Sequence, residues 1–375
     1  MSPRHSIFRK PGARSRAAFT LVEVLVSMTV LLILLLISAQ VIGTVQSTWT
    51  ASNARVSQFR EARTAFDIIT RNLSQATLNT YIDYDQSYLQ DSDSTDATAT
   101  SAPSKYIRKS DLRFVSGPAV GGGTPLLTQG GSAAESPGHA VFFQAPLGVS
   151  HDPAFVGLDR LLCGRGYFVQ YTSDEFFRPE VLPAGLPRFR YRLMEFSPPA
   201  EQNLVYDSAS NDKWFSQAGV PVQGTETPVN HGLTRPIADN IIALIIAPML
   251  ETDAAVAGNG TTNSSDAYRA VFNYDSAIND GTPTAGGQGN QHRLPPLVKV
   301  VLVAIDERTA DRLGQISDPS TPPFGTEISS ALSNDTAAQN LNQTMEDIAK
   351  TLNERNVNFR IFSSTVAIRG AKWSN

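Results

Sequence analysis

The hydrophobic positions along the chain fall into three regimes. From Val24 to Ala54 there is no charged side chain, and Val24 to Val45 is a nearly unbroken apolar run of 22 residues. As a helix that run is about 33 Å long, enough to cross a bilayer core of about 30 Å. Beyond it the pattern changes to a stripe. Val56, Phe59, Phe66, Ile69, Leu73 and Ala76 step by three, four or seven, while Arg55, Arg60, Glu61, Arg63, Asp67 and Arg71 take the other faces. That spacing predicts an amphipathic continuation. No proline interrupts the chain between Pro11 and Pro103, so one helix is expected over 19–80.

The third regime reads as strands between polar loops. Ala140–Gln144 and Gly166–Tyr171 are short and aromatic. Phe189–Phe196 (FRYRLMEF) partly alternates apolar and charged residues, as a strand with one wet face does. Ile241–Ala247 and Val298–Ile305 are the most apolar and are expected at the centre of a sheet. Phe359–Arg369 closes the chain as a strand. Leu341, Met345, Ile348 and Leu352 step by four, three and four, which predicts one late helix over about 335–355, capped by Asn334 or Asp335. The expected fold class is α+β: a long N-terminal helix packed on a mainly antiparallel β body, 81–375, with long loops.

Charge sharpens this picture. The net charge is −4, yet residues 1–18 hold Arg4, Arg9, Lys10, Arg14 and Arg16 and no acid. The remainder carries 26 basic against 35 acidic side chains, a balance of −9. An acidic body argues against nucleic acid as a partner, because phosphates are met by basic surface. A basic leader ahead of an apolar span argues for a cytoplasmic N-terminus and a body on the far side of the membrane. Cys163 is the single cysteine, so no intrachain disulfide forms.

The apolar span opens on an acid, Glu23. A carboxylate in hydrocarbon costs about 2.5–3.5 kcal/mol on insertion scales, so a retained one implies a use. Ala18-Phe19-Thr20-Leu21-Val22-Glu23 behind the basic leader resembles the prepilin-type cleavage and methylation motif. In that family a membrane aspartyl peptidase cuts before the aromatic residue and methylates the new amine. The resemblance implies a cut between Ala18 and Phe19, N-methylation of Phe19, and recognition through Thr20, Leu21, Val22 and Glu23. Ala18 stands where the family usually has glycine. Cleavage leaves an ammonium on Phe19, and Glu23 of one subunit is expected to pair with the amine of a neighbour. The structural alternative is a carboxylate that snorkels to the interface.

The body shows no catalytic pattern in sequence: no GxSxG, no P-loop, no HExxH, and no GxGxxG between a strand and a helix. His5, His139, His151, His231 and His292 lack metal-ligand spacing. His151-Asp152 is a neighbouring pair in an expected loop. Asp91, Asp93 and Asp96 raise the question of calcium, but the run lacks the glycine and distal Glu of an EF-hand loop. Neither cofactor nor metal is expected, and no enzymatic activity.

A second resemblance covers most of the body. HRLPPLVKVVLVAIDERTADRL (292–313), ADNIIALIIAPML (238–250), YFVQYTSD (167–174), RYRLMEF (190–196) and the ending FRIFSSTVAIRGAKWSN (359–375) look like the Verru_Chthon cassette protein C family, whose members are encoded with other prepilin-like proteins. The layout is distantly similar to the J-type minor pseudopilin of type II secretion. These resemblances imply a minor pilin-like subunit of a type IV pilus- or type II secretion-like fibre. The implied partners are the inner membrane, prepilin peptidase, other pilin-like subunits and an assembly platform protein. The alternative is a membrane-anchored periplasmic module that binds a glycan, peptide or secreted substrate.

Overall fold

The computed structural model describes residues 20–84, 106–120, 126–127, 131–155, 157–179, 181, 187–206, 214–220, 232–251, 268–278, 288–316, 322–333 and 335–373. The chain divides into two compact units, Met1–Ala54 and Arg55–Asn375. The fold class is α+β. Helix α1 runs Leu21–Leu73, 53 residues. Twelve strands and four shorter helices follow among the described residues.

In the first unit, Leu21–Thr50 is long and apolar enough to cross a membrane, with a mean hydropathy of 2.7 and none of it buried. Six of its hydroxyl groups bond back to the helix. Ser27, Thr29, Thr44, Ser47, Thr48 and Thr50 donate to backbone carbonyls three or four residues earlier. Such back-bonding satisfies a polar group that hydrocarbon would otherwise penalise.

In the second unit the stripe on α1 is buried: Ala62, Ala65, Phe66, Ile69 and Leu73 all lie in the main core. The side chains of Arg55 and Val56 lie outside the described residues. The helix stops at Leu73, short of the expected 80. Gln75 and Ala76 make a tight turn, and the Thr77 N–H then donates to the Gln144 carbonyl, which commits the chain to strand-like pairing.

A six-stranded sheet has the order β10-β3-β4-β5-β6-β7, formed by β3 (Val115–Pro118), β4 (His139–Val149), β5 (Asp159–Ser173), β6 (Phe189–Phe196), β7 (Thr234–Asp239) and β10 (Tyr274–Asp275). A four-stranded sheet has the order β12-β11-β8-β9, from β8 (Ile241–Glu251), β9 (Tyr268–Ala270), β11 (Leu297–Ile305) and β12 (Phe359–Ala367). A separate ribbon pairs β1 (Tyr81–Tyr84) with β2 (Tyr106–Lys109). Every strand pair is antiparallel. The two large sheets meet where Gly138 bridges Leu244. Gly138 has φ +82°, and a Cβ there would lie 2.6 Å from the Leu244 carbonyl, so only glycine permits this approach. One face of the six-stranded sheet joins α1 and the four-stranded sheet in the main core. The other face carries a smaller core in which Trp214 and Phe215 close over Phe142.

Two expectations need correction. The late helix is not single. Helices α4 (Asp335–Gln339) and α5 (Leu341–Glu354) divide the expected segment, and α2 (Glu307–Ile316) and α3 (Gly325–Ala331) precede it. The predicted 335–355 segment breaks at Asn340, whose φ −104° and ψ 39° lie off the helical region, and Thr344 Oγ1 donates to the Ala337 carbonyl across the break. Helix α2 begins after Asp306, whose Oδ1 accepts the Thr309 N–H at 3.2 Å. That is an N-cap with Glu307 in the first turn, a signal present in the sequence. Strand β6, read as half-wet, is buried on both faces from Arg190 to Phe196.

Candidate functional site

The head of α1 is built by Thr20. Its carbonyl accepts the N–H groups of Glu23 and Val24 at 3.0 and 3.2 Å, and its Oγ1 accepts the Glu23 N–H at 3.3 Å. Thr20 is thus the N-cap and Glu23 stands at N3, the T-x-x-E spacing of a capping box. An acid in the first turn also faces the positive end of the helix dipole. Leu21, Val22 and Glu23 are exposed on the first turn. Glu23 shares a face with Val26, Ser27, Val30, Leu31 and Leu34. Among the described residues its carboxylate has no cationic partner. Ala18 and Phe19, the expected cut and methylation site, lie outside the described residues.

The remaining sequence candidates are dispersed. Asp91, Asp93, Asp96, His5 and His231 lie outside the described residues. His151 and Asp152 sit in a turn organised by Glu201, whose Oε1 accepts their N–H groups at 3.1 and 3.2 Å and the Ser150 hydroxyl. Those donors, Ser150 first, hold the Glu201 carboxyl down at about 2. His139 is a core residue. Its Nδ1 accepts the Ile246 N–H at 3.1 Å, and its Nε2 donates to the Leu332 carbonyl at 3.3 Å. Cys163 is buried, and burial pushes its thiol pKa up, away from reactive thiolate.

A buried polar cluster that sequence reading missed ties α1 to the body. Asn72 Nδ2 donates to Tyr167 Oη at 2.7 Å, and Tyr167 Oη donates to Glu195 Oε1 at 2.9 Å. Glu195 also pairs with Arg165 at 3.4 Å and Arg235 at 3.3 Å. Burial, then the Glu195 charge, drives the Tyr167 phenol pKa upward, so it stays a donor. Next to it on β6, Arg190 pairs with Glu307 and Asp311 of α2, and Arg192 pairs with Asp239 at 3.2 Å. These pairs explain how a charged strand is buried: each buried ion of β6 has an opposite charge, from the largely buried Arg165 or from Arg235, Asp239, Glu307 and Asp311, which reach solvent.

The β1–β2 ribbon exposes Tyr81, Ile82, Tyr84 and Tyr106. Tyr84 and Tyr106 pack with ring centroids 5.0 Å apart.

Residues 13–39 match the family model described as the prokaryotic N-terminal methylation motif. None of the curated proteins and none of the solved structures compared with the chain gives a significant match. The matched segment contains Ala18 through Glu23 and the start of the apolar span, so the chain carries a prepilin-type N-terminus. That motif implies processing by prepilin peptidase and pilin-like assembly, and with the apolar helix it is compatible with a single-pass inner-membrane anchor.

Proposed function

We propose that this prepilin-like chain is a minor pilin or pseudopilin: a structural subunit inserted by its basic leader, cut between Ala18 and Phe19, and built into a type IV pilus- or type II secretion-like fibre at a tip or low-copy position. The observation that carries the reading is Glu23. It is a carboxylate at the head of an otherwise uncharged apolar helix, and no cation among the described residues balances it. After cleavage the Phe19 ammonium of a neighbouring subunit is the cation of matching depth. The pair sets the axial stagger of adjacent helices, and each charge offsets the desolvation of the other. The body, Arg55–Asn375, is large for a repeating shaft subunit, which favours a terminal position. The work of this chain is assembly, not turnover. Its resemblance to the Verru_Chthon cassette protein C family fits the same role.

Mass spectrometry of the mature N-terminus, with and without the peptidase, tests the reading. N-methylated Phe19 supports it; a chain that keeps residues 1–18 or loses the whole apolar segment refutes it. Glu23→Ala is expected to leave membrane insertion intact and to reduce fibre incorporation.

A binding role for the body is the second reading. The exposed aromatic group on β1–β2 favours it, since flat rings with polar tips stack on sugars and peptides. A Tyr84→Ala, Tyr106→Ala double variant that retains binding to every ligand of the wild-type body would end that reading.

A further inference from the structure

Strand β12 ends the four-stranded sheet, and among the described residues nothing pairs with its outer edge. Its ladder parity follows from two flanking bonds. Asp306 N–H donates to the Asn358 carbonyl, and Ile368 N–H donates to the Pro296 carbonyl. In an antiparallel ladder such residues alternate in direction. Arg360, Phe362, Ser364 and Val366 therefore bond β11, and Phe359, Ile361, Ser363, Thr365 and Ala367 turn their N–H and C=O groups outward. Those outward groups hold no hydrogen bond to the described residues.

The other edges of the two large sheets are guarded. Strand β9 has three residues and β10 two. Strand β7 contains Pro236, and its Asp239 N–H is taken by Glu61. Strand β12 has nine residues with neither proline nor lysine, and its one charge, Arg360, lies over the rings of Phe59 and Phe362. Natural sheets blunt long edges unless they are used.

We infer that the β12 edge is a strand-addition site for an extended, largely uncharged segment of a different protein chain in the assembly. The inference rests on the assembly reading in one respect only, the choice between a different chain and a second copy. Phe59 meets Arg360, Phe66 meets Phe362, and the Arg369 N–H meets the Ser74 carbonyl, so β12 and the Phe59–Leu73 part of α1 run in the same sense. Two copies joined antiparallel at β12 would set those helix segments head to tail, whereas helices fed from one membrane into a fibre run alike. Two copies related by an axis along β12 would place outward residues level with each other, and a parallel ladder needs them staggered by one. A foreign strand meets neither obstacle.

The test uses the full chain in its native membrane, with photo-crosslinking residues at Thr365 and, separately, at Ala367, both exposed. The expected result is one peptide of another chain, attached at positions two residues apart. Ser363→Pro removes an outward donor without touching the β11 ladder and should cut the crosslink yield by about tenfold. Ser363→Lys, which places a charge on the edge and does not depend on proline being tolerated, should do the same, and Ser363→Ala should retain the crosslink. Capture of this chain's own β12, attachment without register, no capture, or yields unmoved by both the proline and lysine variants would overturn the inference. The N-terminal mass read from the same sample separates the two ideas. A methylated Phe19 with no registered capture sinks the edge site alone, and an unprocessed chain with registered capture sinks the assembly reading alone.

Discussion

The two parts of α1 share one secondary structure and differ in everything else. Leu21–Thr50 is apolar on all faces and wholly unburied. Phe59–Leu73 is apolar on one stripe, and Ile69 and Leu73 are fully buried there. A helix is satisfied in its own backbone, so its formation says nothing about what covers it. The distribution of apolar side chains does: uniform coverage asks for lipid or neighbouring helices, and a stripe asks for a protein core. The same contrast separates their charges. Glu23 has no cationic partner among the described residues, while Glu61 and Asn72 find hydrogen-bond partners within the body.

The largest expected effect breaks the link between the second part and the body. Glu195→Ala leaves Arg165 buried without its carboxylate and should cost about 3–5 kcal/mol in denaturant unfolding followed by tryptophan fluorescence. Next, Ile69→Ala should destabilise the body by about 2–5 kcal/mol. Leu34→Ala, in the exposed span, should leave the same unfolding midpoint unchanged. If both substitutions cost the same, the contrast between the two parts is wrong.

At the head of the helix, Thr20→Ala should cost about 1 kcal/mol locally. Faster hydrogen exchange at the Glu23 and Val24 amides, with the body unaffected, is the readout. The smallest effect concerns Glu61. Burial raises its pKa above the usual glutamate value, against the Asp239 N–H that lowers it, and the Asp239 and Glu307 charges add to the rise. A carboxyl whose folded pKa is raised contributes stability below its unfolded pKa and loses it as pH rises through the folded value. Glu61→Gln should therefore raise the melting temperature at pH 7 and leave it nearly unchanged at pH 4. A larger gain at pH 4 would contradict the assignment.

Much of the β body was legible. Phe189–Phe196 has the bounds read from its residues, and Val298–Ile305 extends by a single residue, to Leu297. Both have strong edges in the hydrophobic pattern. The state of β6 was not legible. Alternating charge looks the same whether water or ion partners satisfy it, and those partners come from β5, β7 and α2. The break at Asn340 was hidden because Ala338, Leu341, Ile348 and Leu352 keep helical spacing across it and all remain buried.

By itself the sequence determined the membrane-length span, the prepilin-type head with Glu23, the α+β class and the longest strands of the core, β4, β5, β6, β8, β11 and β12, because each is written in local periodicity or in a contiguous motif. Only the tertiary structure decided which charges are buried in pairs, where α1 stops, and which strand edge stays unpaired among the described residues. Those depend on pairing between segments far apart in the chain, and a backbone donor looks the same in sequence whether or not a neighbour arrives to meet it.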